Sequence, residues 1–110
     1  MKLIIAIVQD EDSSRLLMGL MEKGFGVTKL ATTGGFLKAG NTTLLIGVED
    51  SQVQDAIHAI ESVCRSRKQL TTATMSPTGA AGSGFSPFPV EVTVGGATLF
   101  VLSVDQFLKV

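Results

Sequence analysis

Between Gly26 and Val48 the chain carries no carboxylate, two lysines (Lys29 and Lys38) and three closely spaced glycines (Gly34, Gly35 and Gly40). Such a stretch can receive an anion, because lysines supply charge and glycines let backbone N–H groups converge on it. Gly35–Thr42 reads GFLKAGNT, one residue away from the phosphate-binding pattern G-x-x-x-x-G-K-[ST], with Asn41 in place of the lysine. That pattern works where a strand enters the loop and a helix leaves it, with the helix N-terminus facing the phosphates. Here TLLIGV, Thr43–Val48, follows the loop. It is apolar and β-branched and reads as a strand, so a Walker mechanism is rejected. A different recognition chemistry remains. Phe36 can stack on a base, a contact worth ~1–3 kcal/mol. Asn41 can pair with both positions of an adenine edge. Thr28, Thr32, Thr33, Thr42 and Thr43 add hydroxyls.

Other reactive residue types are scattered. Asp10, Glu11 and Asp12 are read as charges favouring a helix N-terminus, not as a metal cluster. His58 has no metal-ligating neighbours at suitable spacing and reads as a solvated surface residue. Cys64, the only cysteine, has no internal disulfide partner and falls on an apolar helix face, where a buried, inert thiol is expected. Met18, Met21 and Met75 read as packing residues. No Ser/His/Asp or Cys/His arrangement emerges, so no catalytic residue and no metal site are expected. Gly-rich loops between strands are also common without a ligand, and these residues equally allow Phe36 to fold back on the core or to fill an oligomer interface.

Several elements must position these groups. One hundred and ten residues, 45% hydrophobic and 17% charged, suit a single domain spanning 1–110. Nine basic residues against ten acidic ones argue against nucleic-acid binding, which needs several phosphates neutralised. No stretch approaches the ~20 apolar residues of a membrane span, and the N-terminus lacks a signal peptide's long apolar region. A cytoplasmic location is expected. Leu3–Val8 reads as a buried central strand. A helix follows, ended by Gly24. Val27–Thr32 and Thr43–Val48 read as strands. Val53, Ala56, Ile57, Ile60, Val63 and Cys64 recur at helical spacing. Ser51 and Gln54 stand in capping-box register before them, and Arg65, Arg67 and Lys68 are placed in the last turn. Thr71–Pro89 reads as a long loop. Val90–Val94 and Ala97–Leu102 then read as a β-hairpin turning at Gly95-Gly96. The expected architecture is α+β: a ferredoxin-like βαββαβ plan with one added C-terminal hairpin strand.

Three segments together, AIVQD, TKLATTGGFLKAGNTTLLIGVED and PVEVTVGGATLFVL, strongly resemble the PII-like cyclic di-AMP receptor family. The resemblance runs from Met1 to about Phe107. It implies a homotrimer of ferredoxin-like subunits, with cyclic di-AMP as ligand in clefts between neighbouring subunits, no cofactor, and no catalysis. It further implies two ligand-responsive loops that signal to a downstream protein partner, which the sequence does not name. Carried over by position, Thr28 matches a threonine that meets the adenine. Gly35, Phe36 and Leu37 match the loop segment that embraces the ligand, and Asn41 the asparagine that reads it. Gly47 matches a glycine where a base approaches the strand, and Phe100 an aromatic on the returning strand. There are departures. Gly26 stands where the family usually has an arginine. The chain ends in FLKV, so Lys109 falls in the region of a glutamine-containing tail, and Phe85 and Phe88 take the places of tyrosines. These leave open a sensor of ATP, ADP or another adenine nucleotide, and also an oligomeric adaptor without a ligand.

Overall fold

A computed structural model describes residues 1–30, 40–72 and 89–110. The elements run β1 (Lys2–Gln9), α1 (Asp10–Glu22), β2 (Gly26–Lys29), β3 (Asn41–Val48), a 3-10 turn (Asp50–Gln52), α2 (Val53–Cys64), β4 (Arg67–Thr72), β5 (Pro89–Val94) and β6 (Ala97–Ser103). Four strands form an antiparallel sheet in the order β2-β3-β1-β6. With β6 as the closing strand this is the expected ferredoxin-like plan. A strand leaves the Gly-rich segment at Asn41, as the rejection of a Walker mechanism requires.

The C-terminal hairpin is not formed. β5 pairs antiparallel with β4 in a separate two-stranded ribbon, Arg67 opposite Val94 and Thr72 opposite Pro89, while β6 pairs with β1. Gly95 and Gly96 do take positive φ, 85° and 93°, which is what suggested a hairpin turn. They are used instead for a corner between two sheets. The Gly96 N–H donates to the Cys64 carbonyl, and the Gly95 N–H donates to Gln9 Oε1 at 2.8 Å. The added strands are therefore an insertion between α2 and β6. Two further expectations shift. α2 ends at Cys64 with no basic residue in its last turn, and Arg67 and Lys68 begin β4. The capping box is formed by Glu49 and Gln52, not by Ser51 and Gln54. The Glu49 N–H donates to Gln52 Oε1 at 3.0 Å.

Both helices cover one face of the sheet. Ile4, Ala6 and Val8 of β1 and Leu44, Ile46 and Val48 of β3 are buried there against Leu16 and Leu20 of α1 and Ala56, Ile60 and Cys64 of α2. Burying a side chain of this size is worth ~1.5–3 kcal/mol, so this layer carries most of the chain's packing. β1 is central, but it is not buried on both faces. Leu3, Ile5 and Ile7 point to the helix-free side and are half-buried, because alternate residues of a strand face opposite ways. Gly24, at φ 88°, closes α1 as expected.

Candidate ligand-binding site

Strand register aligns residues of the helix-free face into rows. One row runs Phe100, Ile5, Leu45, Thr28; the next runs Leu102, Leu3, Gly47, Gly26. Thr28 and Gly47 thus fall on adjacent rows of neighbouring strands. A cleft of about 540 Å³ opens over them, lined also by Gly26, Lys2, Phe107 and Lys109. The sequence places these groups together simply. Period-2 alternation turns Gly26, Thr28, Leu45 and Gly47 to one side, and the segment after β6 returns across them. A Cβ on Gly26 would meet no atom within 4 Å, and one on Gly47 would meet only Met1 Cε at 3.8 Å. Backbone is therefore laid open at the cleft floor.

The electrostatics of this cleft are one-sided. Lys109 lines it, and no carboxylate does so among the described residues. The Lys2 side chain alternates to the helix-covered side with Ile4, where its Nζ donates to Ser103 Oγ at 2.9 Å. Threonine hydroxyl, exposed backbone, apolar ring and a cationic residue together suit an anionic ligand with a flat, polar-edged ring system.

Asn41 lies elsewhere. It stands opposite Gln9 at the far end of β3, four residues from Leu45 in Thr28's row, or ~13 Å at a strand's rise. It lines a second cleft of about 610 Å³ with Gln9, Asp10, Glu11, Gly40 and Val94. That cleft holds carboxylates and suits a neutral base edge better than a phosphate. Phe100 shares Thr28's row but sits on β6, three strand spacings or ~14 Å away, and is 52% exposed. Gly35, Phe36 and Leu37 lie outside the described residues. The chain thus brings Thr28 and Gly47 together and keeps Asn41 and Phe100 apart from them.

Sequence reasoning missed the roles of two acids. Asp12 is 1% exposed and accepts from Arg15 Nη2 and Arg67 Nη2, each at 3.0 Å. It ties α1 to the root of the ribbon, and this carboxylate raises the Arg67 pKa above its ordinary value through the hydrogen bond they share. Asp10 is bonded to Gly40 and Thr42 on either side of Asn41. Both were read only as helix-start charges, since nothing local announces a partner 30 or 55 residues away. Cys64 is buried as expected; burial first, and the Asp12 charge second, push its thiol up to about 11. His58 is exposed, and no group of three metal-ligating side chains exists among the described residues. No helix among them is long and apolar enough to cross a membrane.

The fold is a ferredoxin-like α+β arrangement with an open cleft on its helix-free face. A family model described as cyclic-di-AMP receptor matches residues 1–110, and the chain belongs to that family. Among solved structures, it is similar to a functionally unknown protein from Pediococcus pentosaceus, with 40% identity over 99% of this chain and 96% of that one, at a TM-score of 0.73.

Proposed function

We propose that this chain is a non-enzymatic cytoplasmic receptor that binds cyclic di-AMP in clefts between the subunits of a homotrimer. The observation that carries the reading is the cleft that Thr28, Gly26 and Gly47 line together with Lys109. It offers a base an open backbone floor and offers phosphates a cationic residue. Hydrogen bonds to a base need heavy atoms within ~3 Å, so Thr28 and Asn41 of one subunit do not read the same base. A neighbouring subunit supplying Asn41, with residues 35–37, resolves this separation. The helix-free face supports such packing, since Phe100 and Leu102 on it are 52% and 46% exposed.

Signalling follows from the two Gly-rich segments. Ligand fixes Gly34–Gly40 and, of the expected Thr71–Pro89 loop, residues 73–88, since Thr71, Thr72 and Pro89 are already paired in β4 and β5, changing the surface shown to a downstream protein. Hydrogen exchange in both segments that ignores saturating ligand would refute this switch. One observation favours a second reading. With Gly26 and Lys109 together in the cleft, the cation is delivered from the tail and not from β2, which suits a different adenine nucleotide such as ATP or ADP. Calorimetric titration with cyclic di-AMP, with cyclic di-GMP and ATP as controls, separates the readings. One cyclic di-AMP per subunit, selective over both controls, is expected. Binding of ATP alone would transfer the site to the second reading, and heat from none of the three would leave a ligand-free adaptor.

A further inference from the structure

Asn41 is solvent-exposed at the first position of β3, where strand ends fray unless something holds them. Asp10 holds this one from both sides. Its Oδ2 accepts the Gly40 N–H at 3.1 Å, its Oδ1 accepts the Thr42 hydroxyl, and its own N–H donates to the Gly40 carbonyl at 3.1 Å. Thr42 is buried at 5% exposure, so its end of the bridge is anchored in the core. The residue between the two anchored positions is the only one of the three whose side chain is presented to the cleft for recognition.

We propose that Asp10 is a positioning residue for ligand recognition, acting through Asn41. The inference rests on the receptor reading above and adds to it the group that sets the asparagine before ligand arrives. Each carboxylate oxygen is engaged by one of the two residues flanking Asn41, Gly40 and Thr42. Asp10 confines the backbone on either side of Asn41, and with it the direction of the amide. Ordering this segment in advance removes an entropic cost that binding would otherwise carry. The same turn reaches the ribbon as well: the neighbouring Gln9 accepts the Gly95 N–H at 2.8 Å, so the corner that holds Asn41 also abuts the end of β5.

The test is a titration series with cyclic di-AMP on the full-length protein. Asp10→Ala is expected to lower affinity on the order of tenfold, the effect of lost pre-organisation. Asp10→Asn is expected to recover most of it, since its carbonyl still accepts the Gly40 N–H and its amide donates to the Thr42 hydroxyl. In an Asn41→Ala background, Asp10→Ala should change affinity little, because a residue acting only through Asn41 has nothing left to position. Hydrogen exchange of the unliganded Asp10→Ala protein should rise at Gly40–Thr42 and stay unchanged at Leu44–Val48, which separates a local clamp from general destabilisation. Wild type that binds, with Asp10→Ala binding equally well, overturns the proposal and leaves the receptor reading standing. Full additivity of the two substitutions also overturns it. Wild type that takes up no cyclic di-AMP sinks the receptor reading, and the proposal with it.

Discussion

Gly95→Ala and Gly96→Ala make a matched pair, because both glycines have positive φ and only one is crowded. At Gly96, φ 93°, an added Cβ would meet nothing nearer than Ser66 Cβ at 3.9 Å. The cost is backbone strain alone, roughly 1–2 kcal/mol. At Gly95, φ 85°, the same strain applies, and the Cβ would lie 2.6 Å from the Arg65 carbonyl oxygen and 3.1 Å from that of Cys64. Neither oxygen gives way easily. The Arg65 carbonyl accepts from Arg67 Nη1 at 3.0 Å, and the Cys64 carbonyl accepts the Gly96 N–H. Forcing a methyl group into so tight a place typically adds about 1–3 kcal/mol. Gly95→Ala should therefore cost about 2–5 kcal/mol against about 1–2 for Gly96→Ala. For a small domain each kcal/mol is roughly 4–8 °C of melting temperature. Thermal unfolding followed by far-ultraviolet circular dichroism, at one fixed protein concentration because association shifts the midpoint, should order wild type above Gly96→Ala above Gly95→Ala. Equal losses, or the reverse order, would refute the sheet-to-sheet corner and restore an ordinary hairpin turn.

Gly47→Val should leave the fold as stable as wild type or slightly more so, since its space is open and valine suits a strand, yet it should weaken cyclic di-AMP binding by at least tenfold; unchanged affinity in the same titration would remove Gly47 from the site. Asp12→Ala should cost about 2–4 kcal/mol in urea unfolding, because two charge-assisted hydrogen bonds to a buried carboxylate disappear; a loss below 1 kcal/mol would show that water replaces them fully. Cys64 should resist a thiol reagent at pH 8 until the protein is unfolded, because its pKa is raised to about 11. The folded thiol keeps its proton from about 9 to about 11 while the unfolded one releases it from the ordinary 9, so wild-type stability should fall across that window and level off above it. Denaturation midpoints for Cys64→Ala should lack that part of the decline.

The layered core was legible because periodicity reports it directly. Leu3–Val8 and Thr43–Val48 are apolar runs of strand length, the run from Val53 to Cys64 carries a helical period, and each forms where expected. β4 was not legible. RKQLTT contains one apolar residue, Leu70, and that residue is 68% exposed, so there was no buried face for a pattern to follow. The hairpin was misread for a related reason. Val90, Val92 and Val94 alternate correctly for a strand, but alternation does not choose a partner, and positive-φ glycines serve a corner as well as a turn. Of the site residues, Thr28 and Gly47 come together because strand register fixes both. The distance of Asn41 and Phe100 from them is a matter of which strand end and which edge each occupies, and that order was not visible in a linear reading. The two acids of the first helical turn show the same limit, since their partners are set by topology alone.

The position of β1 bears on how the chain acquires its shape. β1 is the second-to-last strand across the sheet and the first along the chain, and it needs β3 on one side and β6 on the other. Lys2 meets Ser103, and the Val104 N–H donates to the Met1 carbonyl at 3.2 Å. Pairings between such distant segments must overcome loop-closure entropy before they return any stabilisation, so folding should be slow for a protein of this size. During synthesis, which proceeds from the N-terminus, the apolar LIIAIV run emerges about ninety residues ahead of its last partner. Its open edge is then a target for strands of other chains. The yield of native protein in the cell should accordingly depend on chaperones and on growth temperature more than the stability of the finished fold would suggest.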